Sequence, residues 1–169
     1  RRRPGCLMGT AGSALPPSAL RLRDALSRLG IDATVIELPV AARTSQQAAD
    51  ALGVEVGRIA KSVVFRAADS GRAILVIAAG DRRVNEARVA EALGEPIGRA
   101  APEFVREASG FAIGGVAPVG HPAPLVTYID VSLRRFDTVW AAGGTPHCVF
   151  PVSPDALVAA SGGREIDIG

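Results

Sequence analysis

Apolar residues first take up helical spacing at Leu22, Ala25, Leu26 and Leu29, which share one face if residues 18–29 form a helix. Ser18 offers a capping hydroxyl at its start and Gly30 a stop at its end. Residues 33–38 are β-branched enough for a strand that closes at Pro39. Thr44 followed three residues later by Gln47 has the form of a capping box. It leads Ala48, Ala49, Ala51 and Leu52 into a helix of two to three turns that ends at Gly53.

The strongest β signal is a pair of apolar runs, one opened by Lys61 and one over residues 73–79, around the turn Asp69-Ser70-Gly71. They predict a central hairpin, broken after the second strand by Gly80-Asp81. Asn85 then caps a helix whose Val89, Ala92 and Leu93 share a face before Gly94. A proline-started helix follows over residues 102–109, with Gly110 as its stop. Further strands are expected over residues 124–130, 138–141 and 147–152. Ser153 caps a short helix over residues 154–160, and residues 164–168 alternate as a last edge strand. Strands that arrive as hairpins and short returns point to one α+β domain, a mixed, largely antiparallel sheet with flanking helices, rather than to a doubly wound fold.

At 169 residues and 48% apolar content, the chain is long enough for a single domain with a real core. Its formal charge of +2 comes from the N-terminal triplet Arg1, Arg2 and Arg3, without which the balance is −1. A basic nucleic-acid coat is therefore excluded, and a polyanion would have to be met at a local site. Residues 1–15 are expected to be a disordered N-terminal extension, with residues 16–169 as the folded domain. The short apolar run at Cys6, Leu7 and Met8 is no secretory signal, and no stretch reaches the length of a membrane span. A cytoplasmic protein without a disulfide framework is the expectation, since Cys6 and Cys148 lie far apart and only one of them is in the domain.

Candidate chemistry centres on residues 110–120, Gly-Phe-Ala-Ile-Gly-Gly-Val-Ala-Pro-Val-Gly, and on Lys61. Of nineteen basic residues eighteen are arginine, and Lys61 is the single lysine. The loop reads either as a nucleotide cradle or as a tight surface loop in which glycine and proline shape the turn. Adjacent Gly114 and Gly115 followed by Pro118 do not match a dinucleotide fingerprint, and neither phosphate-loop pattern is present, so no nucleotide cofactor is expected. Lys61 reads either as an exposed strand lysine or as a compact charge placed where a guanidinium fork would not serve. Holding a phosphate is the more economical role, because it needs no lowered pKa. His121 and His147 lack companions at ligand spacing, so no metal is expected. Cys148 beside His147 points to the opposite face of a strand and reads as core filling. Asp130 is a turn former or a site carboxylate, the turn being preferred.

Together these residues resemble a known family. Lys61-Ser62-Val63-Val64-Phe65 before a hairpin, Gly80-Asp81, Gly110-Phe111, the run from Gly114 through Pro118 to Gly120, Tyr128-Ile129-Asp130 and Ala142-Gly143-Gly144 resemble, in order and spacing, the YbaK/prolyl-tRNA synthetase editing domains over about residues 44–168. The resemblance implies a trans-acting hydrolase that clears small amino acids wrongly esterified to proline tRNA, alanine first and cysteine second. Its partners would be the acceptor end of aminoacyl-tRNA and, by extension, prolyl-tRNA synthetase. Lys61 would hold a phosphate or ribose oxygen. Gly114, Gly115, Val116, Ala117 and Pro118 would supply backbone N–H groups to the ester oxyanion, a loop expected to tolerate changes at Val116 and Ala117 better than Gly114→Val. Thr44, Asp130, Gly143, Gly144 and His147 would lie on the substrate side. The competing class is a binding module of the same fold that grips an acceptor end, a nucleotide or a protein partner without cleaving anything.

Overall fold

The computed structural model describes residues 15–169. The triplet of arginines and Cys6 lie outside the described residues, as does nearly all of the expected N-terminal extension. The first helix is α1 (Pro17–Arg28), which starts on Pro17 with no side-chain cap. The proline supplies the start, because it needs no N–H partner in the first turn; the expected capping by Ser18 is not used. The following strand β1 is only Ile36–Glu37. The rest of the segment expected over residues 33–38 forms no strand, and among the described residues β1 pairs at two positions, Ile36 with Val149 and Glu37 with Cys148.

Helix α2 (Ser45–Leu52) carries the predicted capping box in altered form. Thr44 Oγ1 accepts from Gln47 N–H at 3.1 Å, while Gln47 Oε1 accepts from Arg43 N–H at 2.8 Å, one residue earlier than the standard box. Gly53, at φ 70°, ends it. A 3-10 turn over Val56–Arg58 leads into β2 (Ile59–Ala67), so Lys61 is the third residue of the strand and not its first. The hairpin partner β3 (Ala73–Ala79) pairs antiparallel, with Lys61 opposite Ala78.

After β3 come α3 (Glu86–Leu93), capped by Asn85 as expected, and the three-residue strand β4 (Ile97–Arg99), which sequence patterning does not signal. Helix α4 (Pro102–Ser109) ends at Gly110 in the left-handed region. The chain returns as β5 (Val126–Asp130), a 3-10 turn over Val131–Arg135, β6 (Val139–Ala142), β7 (Cys148–Val152), α5 (Pro154–Ser161) capped by Ser153, and β8 (Arg164–Ile166).

The eight strands of the described residues form one sheet, in the order β1-β7-β6-β2-β3-β5-β8, with β4 also on β2. Four of the seven pairings among the described residues are antiparallel, and β2/β6, β3/β5 and β5/β8 are parallel. Central β3 explains its unbroken apolar run: Ile74 through Ala79 are all 0% exposed, covered on both faces. One face packs against α1, Phe111, Val116, Ala117 and Phe150; the other packs against Val89 of α3 and Ile168. Burying each such large aliphatic chain contributes about 1.5–3 kcal/mol.

The pairing of β2 leaves one local opening. On the edge away from β3, β6 pairs only with Ile59 and Ala60, and β4 pairs only with Phe65, Arg66 and Ala67. Among the described residues, 61–64 have no strand neighbour on that side. The sheet is therefore interrupted at Lys61 and Ser62.

Candidate active site

A cleft of about 540 Å³ lies against this interruption. Lys61 and Ser62 supply its floor from β2, and Thr44 and Ser45 its wall from the start of α2. Gly114 and Val116 close it from the glycine loop, and Thr145, Pro146 and Cys148 from the turn between β6 and β7. Gly80, at the end of β3, also lines it, and a Cβ there would come within 2.9 Å of Ser45 Cβ. The missing side chain lets the start of α2 close onto the sheet.

The Lys61 ammonium makes no ion pair or hydrogen bond with the described residues, its main chain being paired with Ala78 in the ladder. The carboxylates nearest to it are occupied elsewhere. Asp81 receives both Arg135 Nη1–H at 3.0 Å and Arg135 Nη2–H at 2.8 Å. Asp130, 1% exposed, accepts from Ala79 N–H at 3.1 Å and Ser132 N–H at 2.8 Å. Burial first, and then the positive charge of Arg83, lower the Lys61 pKa from the ordinary lysine value, while Asp130 and Asp81 oppose the shift. An ammonium held this way has hydrogen-bonding capacity left for a ligand. The first turn of α2 adds to the same character, since Ser45 and Gln46 N–H meet no acceptor among the described residues, as first-turn amides do.

The glycine loop is braced from three sides. Arg21 of α1 donates from Nη2 to Gly110 O at 2.7 Å and lies 5.1 Å from the Phe111 ring centre. Gly115 N–H donates to Ala112 O at 2.9 Å, closing a tight turn. His121 Nε2–H donates to Ala117 O at 2.8 Å, with its ring edge-on to Phe111 at 6.2 Å. Burial lowers the His121 pKa, which suits a neutral brace. Within this frame Gly114 and Val116 N–H have no acceptor among the described residues, and both residues line the cleft.

Val116 and Ala117 turn their side chains into the main core, at 4% and 0% exposure. Changes there would disturb the core, while any side chain at Gly114, at φ 92°, would strain the backbone; the loop contributes backbone to the cleft because its side chains are anchored beneath it. Gly115 and Pro118 are buried and do not line the cleft; a Cβ on Gly115 would sit 2.6 Å from Thr145 Cα.

The structure brings Lys61, Thr44, Gly114 and Val116 together around one cleft and leaves other sequence candidates out of its lining. Asp130 is a buried tie between β3 and the turn after β5. Gly143 donates its N–H to Cys148 O at 2.6 Å, and Gly144, at φ 98°, has room for no Cβ beside Ser18 O. Both glycines fit the β6–β7 turn closely against its neighbours. His147 is exposed outside the cleft, its C=O accepting from Leu38 N–H at 2.6 Å. Cys148 is 1% exposed, as core filling requires, yet it also lines the cleft, and burial raises its thiol pKa. Ser62 and Thr145 were not singled out from sequence, because a serine inside a strand and a threonine in a turn carry no motif. No group of three or more His, Cys, Asp or Glu among the described residues could hold a metal ion. No helix of the described residues is long and apolar enough to cross a membrane.

Comparison with known proteins places this cleft in context. The sequence model described as "Aminoacyl-tRNA editing domain" matches residues 40–160. A solved structure described as a "putative trans-editing enzyme for prolyl tRNA synthetase" is 44% identical, with a TM-score of 0.87, covering 92% of this chain and 98% of that one. The uncharacterized protein YwhH of Bacillus subtilis is 37% identical over 123 residues, 73% of this chain and 78% of that protein. A proline–tRNA ligase of Desulfitobacterium hafniense is 34% identical over 93 residues, 54% of this chain but 16% of the ligase.

Proposed function

The chain belongs to the aminoacyl-tRNA editing domain family, and we propose that it hydrolyses the ester of a small non-cognate amino acid, alanine or cysteine, carried by proline tRNA. The observation that carries this reading is the convergence on one cleft of the Lys61 ammonium and the backbone N–H groups of Gly114 and Val116, none of which has a partner among the described residues. Lys61 holds a phosphate or ribose oxygen of the terminal adenosine. The loop amides receive the ester carbonyl as it becomes an oxyanion, an effect worth about 2.7–4 kcal/mol for a well-placed donor.

Water adds to the ester carbon, the bond from that carbon to the ribose oxygen breaks, and the ribose oxygen takes up a proton. Free amino acid and uncharged tRNA leave. No side chain in the cleft is suited to be the base: the Cys148 thiol is held protonated by burial, and His147 lies outside. Orientation and electrostatic help suffice for an activated ester, with the neighbouring ribose hydroxyl or the water carrying the proton. The step has a clear purpose. A methylene group yields only about 1–3 kcal/mol of discrimination, too little for a synthetase to reject small amino acids by binding alone. The setting of such a reaction is the cytoplasm, with prolyl-tRNA synthetase as the source of the error.

A panel of charged tRNAs, assayed for deacylation beside filter binding, tests the reading. Cleavage of alanyl- or cysteinyl-tRNA(Pro) supports it. Retention of charged tRNA without cleavage would make the protein a binding module instead.

A further inference from the structure

Ser62 carries a polar group that the described fold does not use. Its Oγ is buried with no hydrogen-bond partner among the described residues, and Ser62 lines the cleft. A buried hydroxyl without a partner costs about 1–3 kcal/mol, so its retention calls for an explanation. The ladder supplies a second feature. Gly80 N–H donates to Ile59 O at 2.7 Å and Ala67 N–H donates to Arg72 O at 2.8 Å, which fixes the odd-numbered residues of β2 as the ones that bond to β3. Antiparallel pairing alternates, so the N–H and C=O of Ser62 point to the opposite edge. That edge is the one on which residues 61–64 have no strand neighbour among the described residues.

Side-chain alternation also separates Ser62 from Lys61. Ser62 shares a face with Ala60 and Val64, which pack in the same cluster as Val116. Lys61 occupies the other face. The cleft thus has a cationic side and, across the sheet edge, a side on which a hydroxyl and a main-chain carbonyl are offered beside the loop amides.

We propose that Ser62 holds the α-ammonium group of the aminoacyl ester through its Oγ and its carbonyl, and so makes the site selective for esters with a free amine. The proposal rests on the deacylase reading for the identity of the ligand. An ammonium has three donors and no acceptor, which suits two oxygen acceptors and no carboxylate. It lies on the far side of β2 from Lys61, and the ester carbonyl beside it falls to the donors of Gly114 and Val116. Amine and carbonyl of one amino acid are then read by acceptors and donors of opposite polarity on one face.

The test uses two hydrolysis-resistant amides, 3′-alanylamino-3′-deoxyadenosine and its counterpart with an α-hydroxyl in place of the amine. Their binding to the full chain is measured by calorimetry at pH 6.5, where the amine is protonated. Wild type is expected to prefer the amine by about tenfold, in keeping with a hydrogen bond to a charged group. Ser62→Ala should lose most of that preference while binding the hydroxyl compound as before, and Ser62→Thr, which keeps the hydroxyl, should retain it. Equal binding of the two compounds by wild type, failure to bind either, or equal weakening of both in Ser62→Ala would overturn the proposal. Because binding is read without catalysis, amine-selective binding by a protein that cleaves no aminoacyl-tRNA would overturn the deacylase reading and leave the role of Ser62 standing.

Discussion

Gly115 and Thr145 meet backbone to backbone: a Cβ on Gly115 would lie 2.6 Å from Thr145 Cα and 2.9 Å from its carbonyl carbon. The glycine loop and the β6–β7 turn, which form two walls of the cleft, are fixed relative to each other at this point. Gly115→Ala must push them apart. Overpacking of this kind costs about 1–3 kcal/mol, and deacylation should fall more than tenfold even at temperatures where the variant is folded. Thermal melting and initial rates check both, and a variant equal to wild type in each would show that the contact is slack.

Lys61 separates charge from shape. Lys61→Ala should keep its melting temperature within a few degrees, because no described residue depends on its ammonium, yet lose most deacylation. Lys61→Arg should not restore it, since a planar fork cannot replace a compact ammonium in a half-buried position. Wild-type rates from either variant would leave Lys61 as a compositional accident.

The pH dependence has a definite sign. A lysine with a lowered pKa gives up its proton at lower pH than a free lysine, so binding that needs the ammonium should fall on an alkaline limb below the ordinary lysine value. Between the folded and unfolded pKa values the unfolded chain binds more protons, so stability should rise with pH across that window. Arg83→Ala removes one cause of the shift and should move the limb upward. Calorimetric titration of a phosphate-bearing adenosine analogue across pH reads it, and an unmoved limb would place Arg83 too far away to matter.

Asp130 predicts a different phenotype. Its carboxylate accepts two backbone N–H groups in the interior, so Asp130→Ala leaves both without partners, at about 1–3 kcal/mol for each buried group. The expected result is a large loss of denaturation midpoint with a near-normal rate in the fraction that remains folded. A stable but inactive variant would return Asp130 to the substrate side.

Much of this architecture was legible in the chain. The hairpin turn, the Thr44 and Asn85 caps and the glycine stops at Gly53, Gly94 and Gly110 are local signals, and the structure uses each. Lys61 stood out because composition isolated it, and the glycine loop because its residues are consecutive. What escaped depends on distant pairings. Strand β4 forms because β2 offers its end as an edge, and among the described residues β1 pairs at two positions. Ser62 gains importance only once β6 and β4 leave a gap beside it. The anchoring of Val116 and Ala117 is hidden for the same reason, since a loop sequence does not reveal the core beneath it.

The most direct measurement is the initial rate of ester cleavage on alanyl- and cysteinyl-tRNA(Pro), set against prolyl-tRNA(Pro) and against each substrate without protein. An editing site of this kind should cleave at least one small non-cognate ester more than tenfold faster than the proline ester, and Lys61→Ala should bring that rate close to background. Rates indistinguishable from background on both non-cognate esters, from protein that is folded and intact, would contradict the proposed function.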